Sequence, residues 1–197
     1  MSRAAGRCPG ARRWKGGRSM LTNETLHTLE TRRSCRAYLD RQVEDKMLDA
    51  VLQAGMYAPT GMGRQSPVIV AVQNKTVRDE LSRLNAAVMG NAGDPFYGAP
   101  TVLVVLADTA CPTWQYDGSL VMGNLLNAAA SLGLGSCWIH RAKEVFDTPR
   151  VKELLQKWGV PNAERLTGVG HCILGYPAPD GEKPAAPRKE GYVTYVR

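Results

Sequence analysis

The chain has 197 residues, 44% of them hydrophobic and 22% charged, a composition typical of one folded domain with a substantial core. Its longest apolar run, residues 102–107, is far below the roughly 20 residues that a membrane-spanning helix needs, so no such helix is predicted. The formal charge of +7 lies almost entirely in residues 1–19, which hold six bases and no acid, and the nearly neutral remainder argues against a nucleic-acid-binding surface.

The first 19 residues are rich in glycine and arginine and lack both an apolar stretch and a helical repeat of apolar residues. This pattern is typical of a disordered tail and not of a signal peptide. Two origins are open: a non-native extension ahead of a start at Met20, which we favour, or a native basic arm that contacts nucleic acid. The prediction is a tail over residues 1–19 and one domain over residues 20–197.

Two helices and a strand are predicted next along the chain. A polar helix over Asn23–Arg33 has Leu26 and Leu29 at a spacing that directs both inward. A second helix over residues 43–59 has apolar residues at helical spacing, acids in its first turn and a proline at its end. The β-branched segment at residues 67–74 predicts a buried strand.

The middle of the chain continues with a third helix at residues 75–90, a core strand at 101–108 and a fourth helix at 116–135. This last helix has small and apolar residues on all its sides. Such a helix needs neighbours all around it, which a second subunit supplies most easily in a chain of this size. We therefore predict a homodimer.

The last third predicts a strand at residues 135–141, a capped helix at 148–159 and an apolar strand at 168–178. The proline-rich arm that follows ends in the alternating sequence YVTYV and has too little apolar content to fold by itself. We expect this arm to dock on another surface, such as that of the partner subunit.

The cysteines indicate a reduced intracellular protein. There are five of them, an odd number, without CxxC spacing, so that neither a disulfide framework nor a zinc site is predicted. Reduced thiols and a cytoplasmic location are the default for such a chain.

The segment TRRSCRAY places Arg32, Arg33 and Arg36 around Ser34. One interpretation is that the arginines close a helix, whose carbonyl end favours cations by only about 0.3–1 kcal/mol. The other is a phosphate-bearing ligand, because guanidinium forks and a serine hydroxyl together suit a dianion. Spacing alone leaves both open.

The segment APTGMGRQSPVIV is a glycine-rich loop that leads into a strand. It is either an ordinary connection or a place where the backbone approaches a planar ligand, with Gln65 able to pair with a ring edge. The spacing is not GxGxxG and no helix follows directly, so neither a Rossmann turn nor a Walker A loop is indicated.

Five motifs in this order, RRSxRxY, APTG…QSP, GLGSCWI, ILGYP and a late basic pair, resemble the FMN-dependent nitroreductase family over residues 22–190. The resemblance implies an α+β, three-layer nitroreductase-like fold, with a central, mostly antiparallel sheet flanked by helices. It also implies an intertwined homodimer that holds two FMN molecules at the subunit interface.

Residue by residue, the resemblance places Arg32 and Ser34 on the flavin phosphate with Arg33 near them, and Arg36 at the N1/O2 edge of the ring. The second subunit would lay the glycine-rich loop against the ring and the arm would add two phosphate ligands. These residues are Pro59, Thr60, Gly61 and Gln65 of the loop and Arg188 and Lys189 of the arm. Many relatives have asparagine where Gly63 stands, so no side-chain bond to flavin is expected there.

The turn after GLGSCWI would lie along the flavin, with Trp138 and Ile139 leading into it. The resemblance implies that the backbone N–H groups of His140 and Arg141 face flavin N5 and O4, where many relatives have glycine. Either both side chains point to solvent, or His140 donates a proton to the substrate and Arg141 holds an acidic one.

Four other residues are predicted to have no chemical role. His171 and Cys172 lie inside an apolar strand, where core packing is the more frequent role. His27 is predicted on a helix surface, and Trp138 is predicted to pack below the flavin without reacting.

We predict an NAD(P)H-dependent flavin oxidoreductase with ping-pong hydride transfer, from NADH or NADPH through FMN N5 to a nitroaromatic, quinone or similar electrophile. The protein would anchor and tune the flavin, with His140 as the one candidate proton donor and no metal. One alternative is a specialised enzyme of the same family, such as a dehalogenase; such enzymes have a lid segment over the ring, and the connection at residues 89–100 is short for a lid. The other alternative is a flavin-binding protein without turnover. The sequence does not name the physiological acceptor.

Overall fold

A computed structural model describes residues 20–197, so the predicted tail lies outside the described part of the chain. The first unit of the chain ends at Thr31 and contains helix α1, Glu24–Thr31, which starts where the Asn23 side chain accepts a hydrogen bond from Leu26 N. The prediction that Leu26 and Leu29 face inward is wrong, since they are 38% and 52% exposed. An eight-residue helix provides no core of its own for these side chains.

The rest of the chain, Arg32–Arg197, is built around a four-stranded sheet. Its strands run in the order β1-β2-β4-β3, and every neighbouring pair is antiparallel, as the resemblance implies. The strands are β1 Pro67–Val72, β2 Thr101–Asp108, β3 Gly135–Ile139 and β4 Leu166–Gly175.

Helices cover both faces of this sheet and make three layers. Leu103 and Val105 of β2 face the layer of α2 and α4, whereas Val102, Val104 and Leu106 face the other layer. Alternate residues of a strand point to opposite faces, so a strand covered on both sides is apolar throughout. The helices are α2 Asp45–Met56, α3 Lys75–Met89, α4 Trp114–Ser131, α5 Ala142–Phe146 and α6 Pro149–Lys157.

Each helix and strand predicted from the sequence is present, with ends moved by a few residues. The short helix α5 was not predicted. Strand β1 is only half-buried, contrary to prediction, because it lies at an edge of the sheet and has one neighbouring strand. Among the described residues, no helix is long and apolar enough to cross a membrane.

The two edges of the sheet carry the two loops in which the sequence predicts site residues. The loop before β1 and the turn after β3 lie at the same end of the sheet, but three strand spacings, about 14 Å, separate β1 from β3. The segment after α1 covers the outer edge of β3, where Ser34 bridges Ser136 and Cys35 N donates to the Ser136 carbonyl at 2.9 Å.

The C-terminal arm begins beside the same edge. Arg36 N donates to the Gly181 carbonyl at 2.7 Å, and Tyr38 bridges Pro177. From Glu182 onward the arm is exposed and has no helix or strand.

Candidate functional site

A cleft of about 310 Å³ lies beside β3. One side is formed by β3 and the turn after it, and the other by the segment Met89–Tyr97 that follows α3. The structure brings five residues singled out from the sequence together in this cleft, namely Arg36, Trp138, Ile139, His140 and Arg141.

Trp138 forms part of the cleft surface and depends on Gly170 of β4. A Cβ atom at Gly170 would lie 2.4 Å from the indole Nε1 and 2.8 Å from Met122 Cε. The indole can cross the strand only because residue 170 has no side chain. It is half-buried between the helix layer and the cleft.

The turn after β3 is held from below by Asn85 of α3, which is fully buried. Asn85 Nδ2 donates to the His140 carbonyl at 2.7 Å, and Asn85 Oδ1 accepts from Arg141 Nε at 3.1 Å. Arg141 has the left-handed backbone conformation, with φ of +72°. The Arg141 side chain is therefore anchored and half-buried, contrary to the interpretation in which it points freely to solvent.

The opposite side of the cleft is held by Asp94. Its carboxylate accepts hydrogen bonds from Arg78 Nη2 at 2.6 Å and Ser82 Oγ at 2.5 Å, and from the backbone N–H groups of Phe96 and Gly98 at 2.9 and 2.7 Å. Burial raises the pKa of Asp94, but these hydrogen bonds outweigh it and lower the pKa below its ordinary value. The turn that lines the cleft is thus tied to α3 by a charged group.

Residues 78, 82 and 85 lie at helical spacing on α3, so one buried polar face holds both sides of the cleft. No role for residues 78, 82 and 85 is predicted from the sequence. The sequence feature that could have indicated this role is a polar residue at each of three core-facing positions of an amphipathic helix. Polar residues are unusual at such positions unless each one is hydrogen-bonded.

One arginine of the cluster has a buried nitrogen without a hydrogen bond in the described part of the chain. Arg32 Nη1 and Ser136 Oγ are buried polar atoms with no hydrogen bond among residues 20–197. Both belong to the paired edge formed by residues 32–36 and β3, next to Ser34. Arg33 Nη1 instead donates to the Arg32 carbonyl at 2.6 Å.

The glycine-rich loop is fixed by Asp117 of α4, which is 2% exposed. Asp117 accepts from Gly61 N at 3.0 Å, from Ser66 Oγ at 3.1 Å and from Thr113 Oγ1 at 3.0 Å. This loop does not line the cleft beside β3. Its later part, including Gln65, lines a separate cleft of about 420 Å³.

The remaining predicted site residues are also apart from the cleft. Pro59 is exposed and Thr60 is half-buried ahead of Gly61. Arg188 and Lys189 lie on the exposed arm, where Arg188 Nη2 donates to the Ala186 carbonyl at 2.7 Å and Lys189 Nζ lies 5.4 Å from the Tyr192 ring centroid. Within one chain, neither the loop nor the arm completes the cleft.

The residues expected to have no chemical role are where the sequence predicts them. His171 is fully buried against the Phe96 and Phe146 rings, and burial lowers its pKa to about 3, which keeps it neutral. Burial raises the pKa of Cys172 to about 12, so it stays a thiol. His27 is exposed on α1.

The model of the nitroreductase family matches residues 29–94 and 87–176 of this chain. The chain belongs to the nitroreductase family. A nitroreductase with bound FMN from Bacteroides fragilis superimposes with a TM-score of 0.81 at 33% identity, over 89% of this chain and 100% of that one. The family match includes both sides of the cleft and the glycine-rich loop, and it ends before the arm.

Two curated relatives are also similar over most of the chain. One is from Archaeoglobus fulgidus, provisionally named NADH dehydrogenase/NAD(P)H nitroreductase, and is 32% identical over 161 residues, covering 78% of this chain and 86% of that protein. The other, an FMN reductase [NAD(P)H] from Bacillus subtilis, is 26% identical over 191 residues, with 85% and 72% covered. Both similarities extend over most of the chain, as the match to the nitroreductase family does.

Proposed function

We propose that this nitroreductase-family protein is an FMN-dependent oxidoreductase that oxidises NADH or NADPH and reduces a nitroaromatic, quinone or similar electrophile. The observation that carries the proposal is the pair of buried, unpartnered polar atoms, Arg32 Nη1 and Ser136 Oγ, at the edge that borders the cleft. The FMN held by the Bacteroides fragilis relative and the name of the Bacillus subtilis relative support the cofactor and the reductant.

The phosphate of FMN would supply hydrogen-bond acceptors for the unpartnered atoms. A buried guanidinium nitrogen and a buried hydroxyl without hydrogen bonds destabilise the protein by several kcal/mol together, of the order of 1–3 kcal/mol or more each. A dianionic phosphate would accept from both and from Ser34, in short charge-assisted bonds. Arg33, and Arg188 and Lys189 of the arm, are assigned to the same phosphate on the family resemblance.

The ring would occupy the cleft, with Trp138 beneath it and Ile139, His140 and Arg141 along it. Arg36 would place its positive charge at the N1/O2 edge. When bound, FMN supplies the hydride chemistry, accepting from NAD(P)H and giving to the second substrate. The protein anchors the cofactor, fixes the backbone N–H groups of the turn through Asn85, and excludes water from one face of the ring.

The working form would be a homodimer, because one chain does not assemble the whole predicted site. The loop residues Pro59, Thr60, Gly61 and Gln65 lie at the far edge of the sheet, so a second subunit would supply them to the ring. Exposed apolar side chains on α4 and at the end of α2 fit such an interface. The free thiols at the four described cysteines fit the predicted cytoplasmic location.

The first test is the visible spectrum of the purified full chain, followed by steady-state oxidation of NADH and NADPH with a quinone. We expect a flavin band near roughly 450 nm and quinone-dependent turnover. A colourless protein that stays so after incubation with excess FMN would overturn the proposal. Bound FMN that dithionite bleaches but neither nucleotide reduces would instead indicate a flavin-binding protein without turnover.

A further inference from the structure

We infer that the electron-accepting substrate carries an anionic group, a carboxylate, which the Arg141 guanidinium binds in the cleft. The inference rests on the proposed function, because the acceptor is the molecule that FMN reduces. It goes beyond that function by naming the chemical class that the cleft selects.

The backbone conformation at position 141 favours glycine, and an arginine occupies it. A φ of +72° is unfavourable for a residue with a Cβ, by roughly 1–2 kcal/mol, whereas glycine adopts it freely. The turn itself therefore needs no arginine. Strain of this kind persists where the side chain is useful and the surroundings hold it in place.

Asn85 provides those surroundings. Because Asn85 is fully buried, its amide has a fixed position, and it uses Oδ1 to hold Arg141 Nε at 3.1 Å. A guanidinium held at Nε keeps both terminal nitrogens for a ligand, in the fork geometry that suits a carboxylate. The ion pairs formed among residues 20–197 include none with Arg141.

The charge balance of the cleft gives the sign of its ligand. Arg36 and Arg141 are its two arginines, and Asp94 is the one carboxylate among the residues that line it. Asp94 is already paired with Arg78 at 2.6 Å, so it does not neutralise either arginine of the cleft. With Arg36 assigned to the cofactor ring, Arg141 is the cation left for the substrate.

The test compares ligands that differ only in charge. The holoprotein is titrated with benzoate and with benzamide, both inert to reduction, and the Kd values are read from the flavin absorption band or by calorimetry at constant ionic strength. In Arg141→Gly, the ratio of the benzoate Kd to the benzamide Kd should rise roughly 10- to 100-fold. This is the loss of affinity expected when one charged hydrogen-bonded contact is removed. The ratio of kcat/KM for 4-nitrobenzoate to that for 4-nitrobenzamide should fall by a similar factor.

Two variants make the result specific to Arg141. Arg141→Lys keeps the charge but not the fork, and should give intermediate ratios. Arg83→Gln removes one charge from an exposed position of α3 outside the cleft, and should leave both ratios unchanged. Arg141→Gly removes backbone strain, so it should fold.

The inference is wrong if Arg141→Gly weakens benzoate and benzamide equally, or changes neither. It is also wrong if the loss is confined to the single-turnover reduction of bound FMN by NAD(P)H, since Arg141 would then bind the phosphates of the reductant. Wild-type protein that lacks bound FMN, or is not reduced by NAD(P)H, would refute the proposed function itself and is recorded before any variant is compared.

Discussion

Arg32 and Arg36 are four residues apart and have different surroundings. Arg32 Nη1 is buried and has no partner within the described chain, whereas the Arg36 side chain is exposed and lines the cleft. The proposed function assigns the two positive charges to different parts of FMN, Arg32 to its phosphate and Arg36 to the edge of its ring. The alternative that the cluster only closes a helix does not explain Arg36, which lies beyond the end of α1 and pairs through its backbone with Gly181.

Arg32→Ala should weaken the binding of FMN far more than that of riboflavin, which lacks the phosphate. The Kd of FMN should rise roughly 10- to 100-fold, because a charged contact is lost. Arg36→Ala serves as the matched variant: it should mainly lower the flavin potential, because a cation near N1 stabilises the charge that reduction creates there. Fluorescence titration of the apoprotein with each ligand, and potentiometry of the holoprotein, measure the two effects. Equal losses of FMN and riboflavin in Arg32→Ala would contradict the phosphate assignment.

Two buried polar groups on helices hold the two loops that are predicted to form the site. Asn85 and its neighbours on α3 hold the sides of the cleft, and Asp117 in the first turn of α4 holds the glycine-rich loop. In each case the helix is buried by its apolar residues, and the polar residue then joins the helix to a loop. The carboxylate of Asp117 uses both of its oxygens: Oδ1 accepts from Gly61 N, and Oδ2 accepts from Ser66 Oγ and Thr113 Oγ1.

Asp117→Asn should lower the free energy of unfolding by about 1–3 kcal/mol, because the amide loses the charge that strengthens these hydrogen bonds and has a donor in place of one acceptor oxygen. It should also loosen the loop, so that trypsin cleaves faster after the exposed Arg64. Asp49→Asn, at an exposed position of α2, is the control. Chemical denaturation and timed proteolysis give the two readouts; cleavage at the wild-type rate would show that Asp117 does not fix the loop.

At the scale of the whole molecule, an apolar surface and a divided site both favour association. Tyr116 and Leu120 of α4 are 72% and 48% exposed, and Met56 and Tyr57 at the end of α2 are 75% and 79% exposed. Gly123, one turn beyond Leu120, has no heavy atom near the position of a Cβ, so a second chain could approach closely there. One side of α4 is thus uncovered within the described chain, and the proposed partner subunit would cover it.

Leu120→Arg should shift the protein from dimer to monomer and reduce FMN retention in parallel, since the partner's loop would no longer reach the ring. Gln156→Arg adds the same charge to an exposed position of α6 in the other layer and should leave both properties unchanged. Light scattering after gel filtration, with the flavin absorbance of the same peak, measures both. A monomeric Leu120→Arg that retains all its FMN would show that one chain holds a complete site.

The sequence alone determined the helices and strands apart from the short helix α5, the central strand β2, the motif order of the nitroreductase family and the positions of the arginine cluster. Periodicity within about ten residues encodes these features, and each is read locally. It also indicated that His171 and Cys172 belong to the core. The predictions that failed, an inward face for Leu26 and Leu29 and a buried β1, concern which elements become neighbours, and periodicity does not encode that.

Only the tertiary structure showed that Asn85 holds Arg141, that Asp117 holds Gly61, and that Arg32 has a nitrogen with no partner. The hydrogen bonds join residues 56 positions apart in both cases. No local pattern predicts such pairs, because the strand order brings these groups together, and the need to satisfy polar atoms away from water then selects the partner.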